Sequence, residues 1–288
     1  MPIFVLTFNT VHMIEPGKYH TLKVVRESEQ GFYITKDDED AVLLPNRYIP
    51  TGLQIDDEIE VFVYNDSEGR LIATTLQPKL TLHEFALLQV TKVTDFGAFM
   101  DWGIAKELLV PFREQERKLR QGEHAVIYLY YDEVSERLVG SAKIRKFLDN
   151  ENITVEENEK VETLVYDETE LGYKSIVNKL HDGLIYKNEI FQEVTIGDKF
   201  TAYVKKVRTD NKIDLHLQPP GYNKIAPNAD RILQFLQQND GWLPLNDKSS
   251  PEEIKEKLNM SKKTFKKAIG HLYKIEIINI KEKGISLK

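Results

Sequence analysis

Residues 97–129 read GAFMDWGIAKELLVPFREQERKLRQGEHAVIYL, and the spacing inside this stretch decides the fold. Its first residue, Gly97, lies 14 residues before Pro111, which lies 11 residues before Gly122. The same two intervals recur on either side, in the sets Gly31, Pro45, Asp56 and Gly172, Tyr186, Gly197. Because three copies with identical intervals rarely arise by chance, we interpret the chain as an array of three repeats.

Each repeat is predicted to form five short strands, since its segments are rich in β-branched and aromatic residues and are separated by Gly, Asn and Asp turns. In the second repeat the strands are expected at Leu87–Val93, Gly97–Asp101, Glu107–Pro111, His124–Tyr131 and Arg137–Ser141, with a short helix or turn over Arg113–Gln121. Glycine at the head of the second strand suits a bulge, because it tolerates positive φ and close strand approach. This is the layout of a five-stranded OB-type barrel, whose open face commonly binds oligonucleotides. Three barrels stacked only as spacers are the alternative.

The carboxyl-terminal module has a helical pattern, and Pro219-Pro220-Gly221 marks the change. Helices are predicted over Ala229–Gln238, over Pro251–Leu258 behind a Ser250–Glu253 capping box, and after an N-cap at Ser261. The third helix has an apolar stripe formed by Phe265, Ala268, Ile269 and Leu272. A hairpin with strands Ile277–Ile280 and Ile285–Leu287 closes the module. This order of elements predicts a small α+β winged helix-turn-helix domain.

The composition of the 288 residues, 41% hydrophobic and 30% charged, predicts two to four soluble domains. With no cysteine, the chain has no disulfide scaffold, thiolate nucleophile or cysteine-bound metal. The seven histidines are scattered without metal-ligand spacing. The amino-terminal segment lacks the basic flank and apolar length of a signal peptide or membrane span, so we expect a cytoplasmic protein that does not enter membranes.

Charge is distributed unevenly along the chain. Residues 1–221 carry 26 basic and 38 acidic residues, a net −12, whereas residues 222–288 carry 13 basic and 8 acidic residues, a net +5. A polyanion is therefore attracted to the carboxyl-terminal module and to local patches but repelled by the rest of the chain. Nucleic-acid contact is therefore expected only at local basic patches. The acidic body, residues 1–221, is an alternative surface for protein partners.

Enzymatic function is not supported by the motifs. Asp37-Asp38-Glu39-Asp40 resembles a metal-binding carboxylate cluster, but its place between two predicted strands favours a solvated hairpin tip. The sequence contains no Walker loop, dinucleotide fingerprint, zinc-protease motif or nucleophile elbow. We therefore predict a non-catalytic protein without a cofactor or metal site.

The stretch Lys92-Val93-Thr94-Asp95-Phe96-Gly97-Ala98-Phe99-Met100 closely resembles the signature of S1 RNA-binding domains, and Gly183–Glu189 resembles their second conserved block. Three S1-like repeats followed by a winged helix resemble the conserved virulence factor B family (CvfB, YitL-like), which are RNA-binding proteins without known catalysis. The resemblance implies S1-like domains at 14–80, 81–148 and 149–220 and a winged helix at 221–288. Residues 1–13 fall outside it as an amino-terminal extension.

No repeat has the complete set of S1 ligand residues, which are two aromatics and a later His. The second repeat matches at Phe96 and Phe99 but has Pro111 in place of the His. The first offers Gln30 and Tyr33 with Pro45, and the third offers Leu171 and Lys174 with Tyr186. We therefore expect unequal contributions from the repeats and weaker binding than in a full S1 array.

Candidate nucleic-acid-binding residues are the aromatics that could stack bases and the cations beside them. They are Lys92, Phe96, Phe99, Tyr186, Lys187, Lys205, Arg208, Lys262, Lys263, Lys266 and Lys267. The alternatives are a Phe that fills the barrel, a charged strand edge in the third repeat and a solvated helix face in the last module. Strand alternation predicts that Phe99 faces opposite to Ala98 and Met100. It also predicts Lys205 and Arg208 on opposite faces, so that only some of the cations of this strand reach one ligand.

The predicted ligand is single-stranded RNA. The predicted process in which the protein acts is post-transcriptional gene regulation. Two other functions are alternative hypotheses: a DNA-binding transcription factor that uses the winged helix, and a protein scaffold on a ribonucleoprotein or polymerase. The lysine helix lacks an Arg fork or an Asn or Gln pair suited to base edges, so sequence-specific readout is expected to be weak. The sequence does not fix the oligomeric state.

Overall fold

The computed structural model describes residues 14–36, 41–190, 193–218 and 227–288, which form a mainly β, multidomain chain as predicted. The predicted amino-terminal extension, the carboxylate cluster at 37–40 and the Pro219–Gly221 boundary lie outside these residues. Two compact units are present. One holds the first two repeats with residues 163–182 and 193–199, and the other holds the rest of the third repeat with the helical module.

The first repeat is a closed five-stranded barrel. Its strands are β1 (Lys18–Ser28), β2 (Gly31–Thr35), β3 (Val42–Pro45), β4 (Glu58–Asn65) and β5 (Leu71–Thr74). They are hydrogen-bonded in the order β1-β2-β3-β5-β4, and the pair β3 and β5 is parallel. This is the topology that the predicted OB-type barrel requires.

The second repeat has the predicted five strands but forms a half-barrel, in which the sheet does not close. Its strands are β6 (Phe85–Thr94), β7 (Gly97–Asp101), β8 (Leu108–Pro111), β9 (His124–Asp132) and β10 (Arg137–Ser141), each within two residues of the prediction. They form an open sheet in the order β10-β9-β6-β7-β8, and only a 3-10 turn at Phe112–Glu114 represents the predicted insert. Side chains, not a hydrogen-bonded ladder, bring β8 and β10 together: a Cβ added to Gly140 would lie 2.9 Å from Val110 Cγ2.

Glu114 bridges the two edges of this open sheet. The residue is only 5% exposed, its Oε2 accepts a hydrogen bond from Ser141 Oγ at 2.7 Å, and Lys146 Nζ lies 3.2 Å from Oε1. Its backbone carbonyl also accepts from the Ala142 amide at 2.9 Å. Burial raises the pKa of Glu114, but Ser141 and Lys146 outweigh that effect and hold the pKa below its usual value. The ionised carboxylate therefore stabilises the seam.

Replacing Glu114 by glutamine is expected to reduce the free energy of unfolding at pH 7 by about 1–3 kcal/mol, because charged hydrogen bonds at a buried site are lost. Since the folded pKa is lowered, the carboxylate's stabilisation is complete above its unfolded pKa of about 4.3 and disappears as the pH falls through the folded value. Urea unfolding at pH 7 and at pH 3.5 measures both effects. The exposed neighbour Glu116→Gln is the control, and an equal loss from that variant would contradict the assignment.

The third repeat returns to the closed topology. Its strands are β11 (Lys160–Glu168), β12 (Gly172–Val177), β13 (His181–Tyr186), β14 (Lys199–Val207) and β15 (Ile213–His216). Their order is β11-β12-β13-β15-β14, and β13 runs parallel to β15. The first and third repeats are therefore two copies of one barrel.

Backbone geometry accounts for the two conserved intervals. The 14-residue interval is a pairing register, because Gly31 lies opposite Pro45 and Gly97 lies opposite Pro111. A Cβ at Gly97 would lie 2.3 Å from the Val110 carbonyl oxygen, so only glycine allows the strands to approach this closely. The predicted close approach at the head of the second strand is thus confirmed in the first two repeats.

The third anchor of each repeat is a left-handed residue that pairs with the first strand. Asp56, Gly122 and Gly197 have φ angles of 76°, 84° and 98°. Their amides donate at 2.8, 2.9 and 2.8 Å to the carbonyls of Val24, Val90 and Val165. Directly after each of these valines the first strand bulges. The bulge changes which residue of the first strand lies opposite the second strand. As a result, Arg26 lies opposite Tyr33 and Lys92 lies opposite Phe99.

The first two repeats are joined by an aromatic core. Trp102 is 2% exposed, and its ring lies 5.7 Å from that of Phe62. From the same loop, Lys106 Nζ donates to the carbonyls of Asn65 and Asp66 at 2.6 and 2.8 Å. The two repeats therefore contact each other through buried rings and through a loop anchored by hydrogen bonds.

The carboxyl-terminal module is the predicted winged helix. It comprises α1 (Pro227–Gln238), β16 (Trp242–Leu243), α2 (Pro251–Leu258), α3 (Lys262–Lys274), β17 (Ile278–Lys281) and β18 (Gly284–Leu287). The Ser250–Glu253 capping box, the Ser261 N-cap and the buried stripe on α3 are all present. The two-residue strand β16, which pairs with β18, was too short to predict. No helix in the described ranges is long and apolar enough to cross a membrane.

Candidate functional site

In the second repeat a cation lies against an aromatic ring on the face of the sheet away from the core. Lys92 on β6 is opposite Phe99 on β7, and its Nζ lies 4.8 Å from the ring centroid. Phe99 is half-buried, whereas its neighbours Ala98 and Met100 are fully buried, which confirms the predicted orientation of the three side chains. Lys92 is also ion-paired with Glu107 at 2.6 Å, so its charge is partly neutralised.

Phe96 lies in the turn between β6 and β7 and is 75% exposed. A ring this exposed does not fill the core. Phe99 lies on the face opposite to the buried side chains of Ala98 and Met100, so neither phenylalanine packs inside the sheet. An exposed aromatic at the edge of a ligand face provides a surface on which a base can stack.

The first repeat has an equivalent cation–aromatic pair, in which the cation lies closer to the ring. Arg26 lies opposite Tyr33, and its guanidinium carbon is 3.5 Å from the ring centroid. No carboxylate among the described residues pairs with Arg26. Sequence reasoning noted Tyr33 but missed Arg26, although the signal was present: Arg26 stands five residues before Gly31, just as Lys92 stands five before Gly97.

The third repeat replaces this pair by an ion pair. Asp167 lies opposite Lys174, and Lys174 Nζ is 2.7 Å from Asp167 Oδ2. Asp167 stands five residues before Gly172, so the position is equivalent to Arg26 and Lys92. A carboxylate there repels phosphate and offers no ring for a base. The repeats therefore differ at this position: the first two place a cation on an aromatic ring, whereas the third has no ring there and pairs its lysine with a carboxylate.

The other candidates of the third repeat form an internal network around Tyr186. Its hydroxyl donates to Asp214 Oδ1 at 3.1 Å and accepts from Arg208, which also donates to Asp214 Oδ2 at 2.8 Å. Lys205 Nζ lies 5.8 Å from the Tyr186 ring centroid and is ion-paired with Glu189. Burial, followed by the hydrogen bond to Asp214, raises the pKa of Tyr186. Arg208 and Lys205 thus each have a carboxylate partner.

The predicted separation of Lys205 and Arg208 onto opposite faces is wrong. Both approach Tyr186, because β14 bulges between Val204 and Lys206 and the bulge resets the alternation. Lys187 is exposed in the 3-10 turn that follows β13. The structure therefore brings three predicted residues of this repeat, Tyr186, Lys205 and Arg208, into one cluster, and carboxylates neutralise much of its positive charge.

Helix α3 carries the largest group of free cations. Lys263, Lys266, Lys267 and Lys274 are exposed on the side away from the buried stripe, and none forms an ion pair with a described residue. Lys262 is half-buried, and its Nζ lies 3.4 Å from the Lys248 carbonyl oxygen. Unpaired ammonium groups on one helix face attract phosphate more strongly than the paired cations of the third repeat.

An aromatic residue that the sequence did not single out lies on the outer face of the wing. Trp242 on β16 is partly exposed, and Lys281 Nζ on β17 lies 5.8 Å from its ring centroid. Gly284 makes this possible, because a Cβ there would lie 2.6 Å from Trp242 Cζ2. The described ranges contain no group of three or more His or carboxylate residues able to hold a metal ion.

Comparisons with known proteins agree with this architecture. Residues 16–76 match the family model described as S1 domain, and residues 230–287 match the model described as CvfB-like winged helix domain. The uncharacterized protein YitL of Bacillus subtilis is 30% identical over 270 residues, covering 91% of this chain and 90% of that protein. Conserved virulence factor B of Staphylococcus epidermidis is 27% identical over 281 residues, covering 94% of each.

One solved structure aligns along most of the chain. It is described as a multidomain protein with nucleic acid binding domains from Streptococcus pneumoniae, is 25% identical, and covers 95% of this chain and 98% of that one with a TM-score of 0.43.

Proposed function

Since the chain belongs to the family of YitL and conserved virulence factor B, we propose that it is a nucleic-acid-binding protein whose principal ligand is single-stranded RNA. One observation carries the proposal: the first two repeats place a cation on an aromatic ring at the same register position, Arg26 on Tyr33 and Lys92 on Phe99. Single strands are held in this way, by bases that stack on rings beside basic groups.

The stacking geometry favours single strands over duplexes. A base inside a duplex is already stacked on both faces, whereas an unpaired base can lie on Phe99 or Tyr33. Each stacked base contributes roughly 1–3 kcal/mol to binding. The exposed ring of Phe96 at the neighbouring turn adds a further surface on the same repeat.

The phosphate backbone is held by helix α3 in this proposal. Its exposed lysines are unpaired among the described residues, and they lie in the part of the chain with net charge +5. The remainder of the chain has a net charge of −12 and repels phosphate outside local basic patches such as those at Arg26 and Lys92. We infer that RNA contact is concentrated on these patches and on α3, and that Tyr186, Lys187, Lys205 and Arg208 contribute less than their number suggests.

The protein is proposed to act without catalysis, in the cytoplasm, in post-transcriptional gene regulation. The domain boundaries given above stay a prediction. Two other functions have distinct outcomes. A transcription factor that uses the winged helix binds duplex DNA more tightly than single-stranded RNA, and a protein scaffold that uses the acidic body binds neither at physiological salt.

Fluorescence anisotropy with a labelled single-stranded RNA and a duplex DNA, each at two salt concentrations, separates these functions. We expect preference for the RNA and a Kd that rises about tenfold in Phe99→Ala, since one stacking surface is lost. Ile55→Ala, which removes an exposed apolar side chain elsewhere in the first two repeats, is the control and should bind as the parent protein does. Unchanged affinity after replacing Phe99, Tyr186 and Lys266 together would overturn the proposal.

A further inference from the structure

We propose that the ligand face of the first barrel is completed by the second repeat, whose β9–β10 hairpin contributes Tyr131 and Arg137 to a composite site for one nucleotide of a single strand. This inference rests on the proposed function and deepens it, because it places a nucleotide site across two repeats.

A groove runs between the first barrel and the hairpin. It encloses about 670 Å³, within the size range of small-molecule sites. Tyr33 and Leu43 line it from β2 and β3, Ile72 lines it from β5, and Tyr131 and Glu136 line it from the second repeat. The groove therefore presents two tyrosines that come from different repeats.

Contacts between the repeats hold the groove in shape. The loop between β4 and β5 borders it, and Lys106 of the second repeat donates two hydrogen bonds to backbone carbonyls of that loop, at 2.6 and 2.8 Å. Trp102 in turn donates to the Lys106 carbonyl. Arg137 lies against the same loop: a Cβ added to Gly69 would be 3.7 Å from Arg137 Nη2. The second repeat thus fixes one wall of the first barrel's groove.

The chemistry of the walls suits one nucleotide. Arg26 covers Tyr33 at 3.5 Å, so the guanidinium and the ring form a stack that a base can extend. Tyr131 offers a second ring, which lines the groove from the second repeat. Among the described residues, Arg137 has no carboxylate partner and remains available to a phosphate.

Acidic side chains in the groove limit what it accepts. The Asp66 carboxylate is occupied by the Arg70 guanidinium, at 2.7 Å from Nη2 and 2.9 Å from Nε, and it therefore adds little repulsion. Glu136 has no such partner in the described ranges and disfavours additional phosphates. The site consequently fits one base with its adjoining phosphate and excludes the closely spaced phosphates of a duplex.

The test uses full-length protein and fluorescein-labelled decauridylate in an anisotropy titration near 0.1 M salt. Tyr131→Leu, which keeps apolar bulk but removes the ring, and Arg137→Gln should each raise Kd by three- to tenfold, whereas Tyr131→Phe should bind as the parent protein does. Arg120→Gln removes an exposed arginine of the same repeat outside the groove and should leave Kd unchanged. In a double-mutant cycle, Tyr33→Leu and Tyr131→Leu should be non-additive, since both rings contact one base.

The outcomes separate this inference from the proposed function. If the parent protein binds decauridylate and both hairpin variants bind equally well, the composite site is wrong while single-strand binding stands. If the parent protein does not bind at all, both are wrong. If Tyr131→Phe loses as much affinity as Tyr131→Leu, the ring of Tyr131 is not the group that binds. If Arg120→Gln loses as much affinity as Arg137→Gln, the effect is not specific to the charge of Arg137.

Discussion

Replacing Gly97 by valine is expected to reduce the stability of the second repeat by at least about 3 kcal/mol, because the change combines backbone strain with overpacking. Gly97 has φ +146°, and a Cβ there would lie 2.3 Å from the Val110 carbonyl oxygen and 2.8 Å from Pro111 Cα. Both atoms belong to the backbone of the paired strand, so no side-chain rotation relieves the clash. The strands β7 and β8 must separate to admit the side chain.

Urea unfolding measured by tryptophan fluorescence reports this loss directly. The chain has two tryptophans, and Trp102 is buried between the first two repeats, so a Trp242→Phe background isolates the relevant signal. Gly122→Val is the matched control, because Gly122 has φ +84° but nothing within 4 Å of an added Cβ. In that variant the free energy of unfolding should fall by only about 1–2 kcal/mol, which is the cost of placing a residue with a Cβ in the left-handed region. Equal losses in the two variants would show that close strand approach is not the cause.

Removing four charges from helix α3 is expected to weaken RNA binding on the order of a hundredfold near 0.1 M salt. The variant replaces Lys263, Lys266, Lys267 and Lys274 by glutamine, which is a good helix former and preserves the buried stripe. Because each phosphate contact to a single strand contributes about 0.7 to the slope of log K against log salt, the slope should fall by about 3. Anisotropy titrations over a salt series measure both quantities.

A second variant distinguishes location from total charge. Replacing four exposed lysines of the acidic body, Lys36, Lys118, Lys160 and Lys199, by glutamine changes the net charge by the same amount. That variant should lose much less affinity, and its salt slope should stay near that of the parent protein. If the two variants weaken binding equally, long-range attraction explains the effect and α3 is not a contact surface.

The three repeats share a fold but differ in what they present to a ligand. In the first two, the residue after the bulge is a cation that lies on a ring, whereas in the third it is Asp167, paired with Lys174. The further cations of the third repeat are bound by Glu189 and Asp214. Because the cations of this barrel are paired with its own carboxylates, we expect the barrel to add little affinity for phosphate. The proposed RNA contact is therefore distributed over the first two repeats and the winged helix.

The sequence alone determined the number of repeats, all five strands of the second repeat to within two residues, and the winged helix with its capping box and apolar stripe. It could do so because these features are local. Glycine tolerates positive φ and close strand approach, Ser and Glu cap a helix three residues apart, and apolar residues at helical spacing face a core. The orientation of Phe99 followed in the same way from the two-residue period of a strand.

Only the tertiary structure decided which side chains meet. The bulge after Val204 brought Lys205 and Arg208 to one tyrosine against the predicted alternation, and the bulge after Val24 placed Arg26 on Tyr33. Likewise, no pattern predicted that the second sheet stays open at β8 and β10, or that Tyr131 faces a groove of the preceding barrel. Such contacts join residues that are distant in sequence, and their geometry depends on strand register, bulges and packing between repeats, none of which a local pattern encodes.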